Sequence, residues 1–152
     1  MQLAIKLLEL AALLTLYFAG ISDLQTRRVS NRLFFFLCGI GVAALALLAL
    51  QGIWWTVLDR LLGFLVPFSV TLIVTLLVKK GGGADIKLQA GVGWCFGLFA
   101  LMQALILVLL FSFLYALYQK VKNHTRLREE LAKGIPFVSF LFLGMLPVWA
   151  AL

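Results

Sequence analysis

Apolar residues run through this chain in long blocks, interrupted at intervals by short clusters of charge. Leu3 to Ile21, Leu33 to Leu50, Leu61 to Val78 and Ile135 to Leu152 are nearly free of charge. At about 1.5 Å of rise per residue each measures about 27 to 28 Å as a helix, which suits a single crossing of a hydrocarbon core about 30 Å thick. The block from Leu88 to Tyr118 differs, because as one helix it would be about 46 Å long, too much for one crossing. Gly91, Gly93 and Gly97 cluster near its start and disfavour an unbroken helix. A short helix, a break and a long helix fit that block better. The pattern therefore predicts an all-α polytopic membrane protein of about six helices, the fourth of them short.

Charge placement tests the split. Three loops carry Arg27, Arg28 and Arg32, then Lys79, Lys80 and Lys87, then Lys120, Lys122, Arg126, Arg128 and Lys133. These are eleven of the thirteen basic residues, leaving Lys6 and Arg60 for the other side. Positive loops collect on the cytoplasmic side, so an even number of crossings must separate each loop from the next. Two helices between residues 33 and 78 satisfy the first gap, and dividing residues 88 to 118 in two satisfies the second. Both termini then lie outside. Trp54 and Trp55 fall in the external turn before the third helix, where indole rings favour the membrane interface.

Composition agrees with this picture. Of 152 residues, 64% are hydrophobic and 12% charged, and the mean hydropathy is +1.10, against roughly 25% charged residues in soluble domains. No linker or composition shift divides the chain, so residues 1–152 read as one membrane-embedded domain. The net charge of +7 lies in short loops instead of covering a surface, which argues for topology and against nucleic acid as a partner. Cys38 and Cys95 sit inside apolar blocks without metal-ligand spacing, so neither zinc nor a disulfide is expected and no cofactor is called for. The first apolar block is longer than the core of a signal peptide and more positive charge follows than precedes it; it is expected to stay in the mature protein.

Six carboxylates can be weighed for acid and base chemistry. Glu129 and Glu130 lie in a strongly basic loop and read as solvated charge balance. Asp59 adjoins Arg60 near the outer interface and is expected to pair with it, while Glu9 is expected to pair with Lys6 at i, i+3. Asp23 and Asp85 remain, and both fall at the cytoplasmic boundary. Asp23 ends the first helix; Asp85 follows Gly81-Gly82-Gly83-Ala84, whose glycines let a chain or a bound extended peptide approach closely. Two neighbouring carboxylates in a poorly hydrated site share a proton, which supplies the base and the acid that peptide hydrolysis needs. His124, the lone histidine, stands among Lys122, Asn123 and Arg126 and offers little for a Ser-His-Asp or Cys-His site.

Three stretches in this order resemble the type IV prepilin peptidases, a branch of the GxGD aspartyl proteases. They are Asp23 with Arg27 or Arg28, Val29 and Asn31; Gly82-Gly83-Ala84-Asp85-Ile86-Lys87-Leu88; and Gly134-Ile135-Pro136-Phe137 with Phe140-Leu141-Phe142-Leu143-Gly144. The resemblance implies that Asp23 and Asp85 are catalytic and that Gly82, Gly83, Lys87, Arg27 and Asn31 shape the site or meet the substrate. It implies cleavage of pilin-like precursors after a Gly at the cytoplasmic face of the inner membrane. Ser30 stands where the family commonly has Pro, leaving Asn31 able to cap the second helix, and Ala84 stands where the family name expects Gly. The amino-terminal methyltransferase region of two-function members has no counterpart here, so no N-methylation is expected. The lipid bilayer is the implied solvent and no metal is implied. The competing readings are a small proton- or cation-coupled transporter with Asp23 and Asp85 as ion sites, and a structural membrane subunit in which both are merely interfacial.

Overall fold

The computed structural model describes the backbone of residues 1–26, 30–78, 83–123 and 137–151. Among these residues the chain forms α1 (Gln2–Thr26), α2 (Asn31–Leu50), α3 (Trp54–Val78), α4 (Gly83–Phe96), α5 (Leu98–Asn123) and α6 (Phe137–Ala151), with no strand. α1, α2 and α5 are each long and apolar enough to cross a membrane, and α6 is a shorter apolar helix. The expected break lies at Gly97, whose φ of 97° suits a residue without a Cβ. Upstream of it α4 has 14 residues, about 21 Å of helix; downstream α5 has 26. Gln89 and Leu105, equidistant in sequence from Gly97, line one cavity, so α4 and α5 fold back on each other.

Two boundaries differ from expectation. Asp23 does not end α1; the helix continues to Thr26, whose Oγ1 donates to the Ser22 carbonyl at 2.9 Å. α3 begins at Trp54 instead of Leu61, so Trp54 and Trp55 form its exposed first turn instead of the turn before it. The charges Asp59 and Arg60 fit inside that helix because each finds a partner on another helix, described below.

The buried stripe of α1 passes through Glu9, Leu16 and Asp23 at seven-residue steps, two helical turns apart. It meets Leu37 and Ile40 of α2, Leu88 and Val92 of α4, Leu101 and Ala104 of α5, and Leu141 and Met145 of α6 in one apolar core. Lipid is as apolar as leucine, so close packing, more than exclusion from water, holds such helices together. Small residues permit it. The α3–α4 contact is so tight that a Cβ on Gly63 or Gly93 would overlap the other's backbone. Pro67 lacks the N–H that would bond the Gly63 carbonyl within α3, and that carbonyl lies against Gly93.

Candidate active site

The elements run up and down, so one end of the bundle gathers the C-terminus of α1 and the N-termini of α2, α4 and α6. Asp23 lies in the last turn of α1, on its inner face, only 9% exposed. Its Oδ2 accepts the Val138 backbone N–H at 3.3 Å. Val138 is the second residue of α6, where the N–H has no acceptor within its own helix. One residue on, Ser139 Oγ donates to the Gly20 carbonyl at 2.9 Å, and a Cβ at Gly20 would come within 3.3 Å of Ser139 Cα. Asp23 is thus held one turn from the close Gly20–Ser139 contact between α1 and α6.

At the same end Lys87 Nζ donates to Asn31 Oδ1 at 3.0 Å, joining α4 to the start of α2. The cap of α2 is Ser30 and not Asn31, which the sequence also leaves able to cap it. Ser30 has extended backbone (φ −66°, ψ 134°), and its Oγ accepts the Arg32 N–H at 3.3 Å. With the cap supplied one residue earlier, the Asn31 amide oxygen is free to meet Lys87. Gly83 is the first residue of α4 and Asp85 lies in its first turn, two residues before Lys87; the Asp85 side chain lies outside the described residues. Gly82 and Arg27 also lie outside them. The structure therefore brings together Asn31 with Lys87, and Asp23 with the start of α6.

The opposite end holds a second polar centre that the sequence pattern did not reveal. Arg60 Nη2 donates to Glu9 Oε1 at 2.6 Å, joining α3 to α1, and both side chains are more than nine-tenths buried. Lys6 also approaches Glu9, at 3.7 Å. The expected local pair of Asp59 with Arg60 does not form. Asp59 Oδ1 instead accepts the Phe99 N–H at 3.3 Å, capping the start of α5 beside Gly97. Neighbours in a helix project about 100° apart, so Arg60 turns into the core while Asp59 reaches the next helix end. A sequence signal did exist: Glu9 and Arg60 stand at similar depth from the same end of the bundle, each within an apolar stretch of its helix.

These features define a multi-pass helical membrane protein with a buried carboxylate at one end and a buried ion pair towards the other. A family model described as the type IV leader peptidase family matches residues 10–118. The chain belongs to the type IV leader peptidase family and is a peptidase, which sets the transporter and structural-subunit readings aside. No curated protein and no solved structure matches it. The matched span includes Asp23, Arg60 and Asp85 and ends before α6, so the Val138 contact to Asp23 lies beyond it.

Proposed function

We propose that this leader peptidase is an aspartyl endopeptidase in which Asp23 and Asp85 act as one proton-sharing pair. Its substrates are type IV pilin-like precursors, cut at the cytoplasmic face of the membrane and left unmethylated at the new amino terminus. Residues 1–152 work as a single membrane-embedded domain of six crossings. The ionised member of the pair takes a proton from a water, whose oxygen attacks the scissile carbonyl carbon. The protonated member donates to the carbonyl oxygen. As the tetrahedral intermediate collapses, the C–N bond breaks and the leaving amine takes up a proton. The two carboxylates titrate as a unit, so neither role is assigned to one residue. The scheme calls for water and two carboxylates and for no cofactor.

The observation that carries this reading is Asp23: a carboxylate 9% exposed, in an apolar bundle, held through one oxygen by a helix start. Unlike Glu9, whose buried charge is met by Arg60, Asp23 has no basic partner among the described residues, and a buried acid of this kind in a membrane bundle points to a functional site. Support for the membrane face comes from charge, since Arg32, Lys87, Lys120 and Lys122 lie towards the Asp23 end whereas Arg60 towards the other end is neutralised by Glu9. The decisive experiment co-expresses a pilin precursor with the intact chain, Asp23→Asn or Asp85→Asn. Each substitution is expected to abolish processing at unchanged protein abundance; normal processing by either variant overturns the two-carboxylate mechanism. Mass spectrometry of the mature product then reads methylation, with an added methyl group counting against the reading.

A further inference from the structure

Ser139 lies in the first turn of α6, beyond the span that the leader peptidase model matches, and no step of the reaction above uses it. We propose that it is a positioning residue for the cleavage: its hydroxyl fixes the offset of α6 along α1 and so keeps the Val138 N–H on the Asp23 carboxylate. This inference rests on the reading of Asp23 as a catalytic carboxylate.

Two neighbouring contacts carry it. The Val138 N–H reaches Asp23 Oδ2 at 3.3 Å, longer than the distance of about 2.9 to 3.0 Å at which such bonds are commonest. A further slip of a few tenths of an ångström would therefore lose it. One residue along, Ser139 Oγ donates to the Gly20 carbonyl at 2.9 Å. A carbonyl oxygen has two lone pairs, so Gly20 accepts this bond without leaving the ladder of α1. The two contacts join Gly20 and Asp23, one turn apart on α1, to Ser139 and Val138, adjacent on the antiparallel α6. An offset held at the first contact is thus held at the second.

The solvent makes the hydroxyl matter. Lipid is as apolar as the helix faces it surrounds, so apolar contact alone fixes an offset weakly; small residues and hydrogen bonds between helices fix it better. This seam has both. Gly20 is buried, and a Cβ there would come within 3.3 Å of Ser139 Cα, so the two backbones already touch where the hydroxyl bonds. Loss of the bond leaves the close contact but frees α6 to slide along it. A displacement of about 1 Å in a reacting group can cost about a hundredfold in rate, so a looser seam is felt in kcat.

Purified wild type, Ser139→Ala, Ser139→Thr and Asp23→Asn process a pilin precursor in mixed micelles, with kcat and KM read separately and an unfolding midpoint measured for each. Ser139→Ala is expected to lower kcat about tenfold while KM stays within about twofold, because substrate still binds but the carboxylate is misplaced. Ser139→Thr keeps a hydroxyl on the same carbon and is expected to restore kcat to within about threefold of wild type. A hydroxyl that only held the bundle together would lower the unfolding midpoint and leave kcat per folded molecule unchanged; that result overturns the proposal. A rise in KM at unchanged kcat overturns it too, as does a Ser139→Thr as slow as Ser139→Ala. If Asp23→Asn processes precursor normally, the catalytic reading falls and this inference with it. If Asp23→Asn is inactive while Ser139→Ala keeps the wild-type kcat, the positioning role alone falls.

Discussion

Removing either member of the Glu9–Arg60 pair should destabilise the bundle, and the two removals should differ. The pair joins α1 to α3 across 2.6 Å, with side-chain exposures of 7% for Glu9 and 4% for Arg60. Breaking a buried pair by deleting one partner costs about 3 to 5 kcal/mol, because the survivor is left as an uncompensated charge. In Arg60→Leu the survivor is Glu9, and Lys6 still stands 3.7 Å from it with a side chain 46% exposed and free to adjust. That variant belongs at the lower end, about 3 kcal/mol. In Glu9→Leu the survivor is Arg60, whose Nε and Nη1 are buried and unpartnered among the described residues even before Nη2 loses its acceptor. That variant belongs at the upper end, about 5 kcal/mol. The double variant Glu9→Leu/Arg60→Leu exchanges the pair for apolar packing and should be less destabilised than either single change. Reversible unfolding of the purified protein in mixed micelles, followed by circular dichroism, measures all three. Equal losses in the two single variants with an additive double would refute the argument, since they would mean the charges do not depend on each other.

Other consequences are smaller or more local. Gly97→Ala puts a Cβ on a residue with φ of 97° and against the Asp59 carboxylate; a loss of about 2 kcal/mol or more is expected in the same unfolding assay. Asp59→Ala removes the acceptor for the Phe99 N–H at the start of α5, and about 1 kcal/mol should be lost. Asn31→Leu breaks the bond to Lys87, worth about 1 kcal/mol; processing should slow by no more than about tenfold, in contrast to the complete loss expected for Asp23→Asn. Lys87→Glu should impair cleavage more strongly, on the hypothesis that Lys87 meets an acidic residue of the precursor near the cut; unchanged turnover would end that idea.

The helices and their order were legible in the sequence because a bilayer imposes a simple rule: backbone polar groups must bond within the segment, so a spanning length of apolar residues is a helix. The break near Gly97 was legible for a related reason, since length and the placement of positive loops required two elements where the apolar block was continuous. Asp23 and Asp85 stood out because so few carboxylates exist that each can be weighed. Partners across the bundle were not legible. A helix states which residues share its face, as Glu9 and Asp23 do at seven-residue steps, but not which residue of another helix stands opposite.

Local rules therefore pointed Glu9 to Lys6, Asp59 to Arg60 and Asn31 to the cap of α2. Tertiary packing sent Glu9 mainly to Arg60, Asp59 to the Phe99 N–H, and Asn31 to Lys87. It also gave Asp23 the Val138 N–H, from a helix that begins more than a hundred residues later. The solvent, the helices and the short list of acids follow from composition and spacing along one chain. Which polar groups meet does not, because buried charges and orphan N–H groups take the partner that packing brings within reach, however distant it is in sequence.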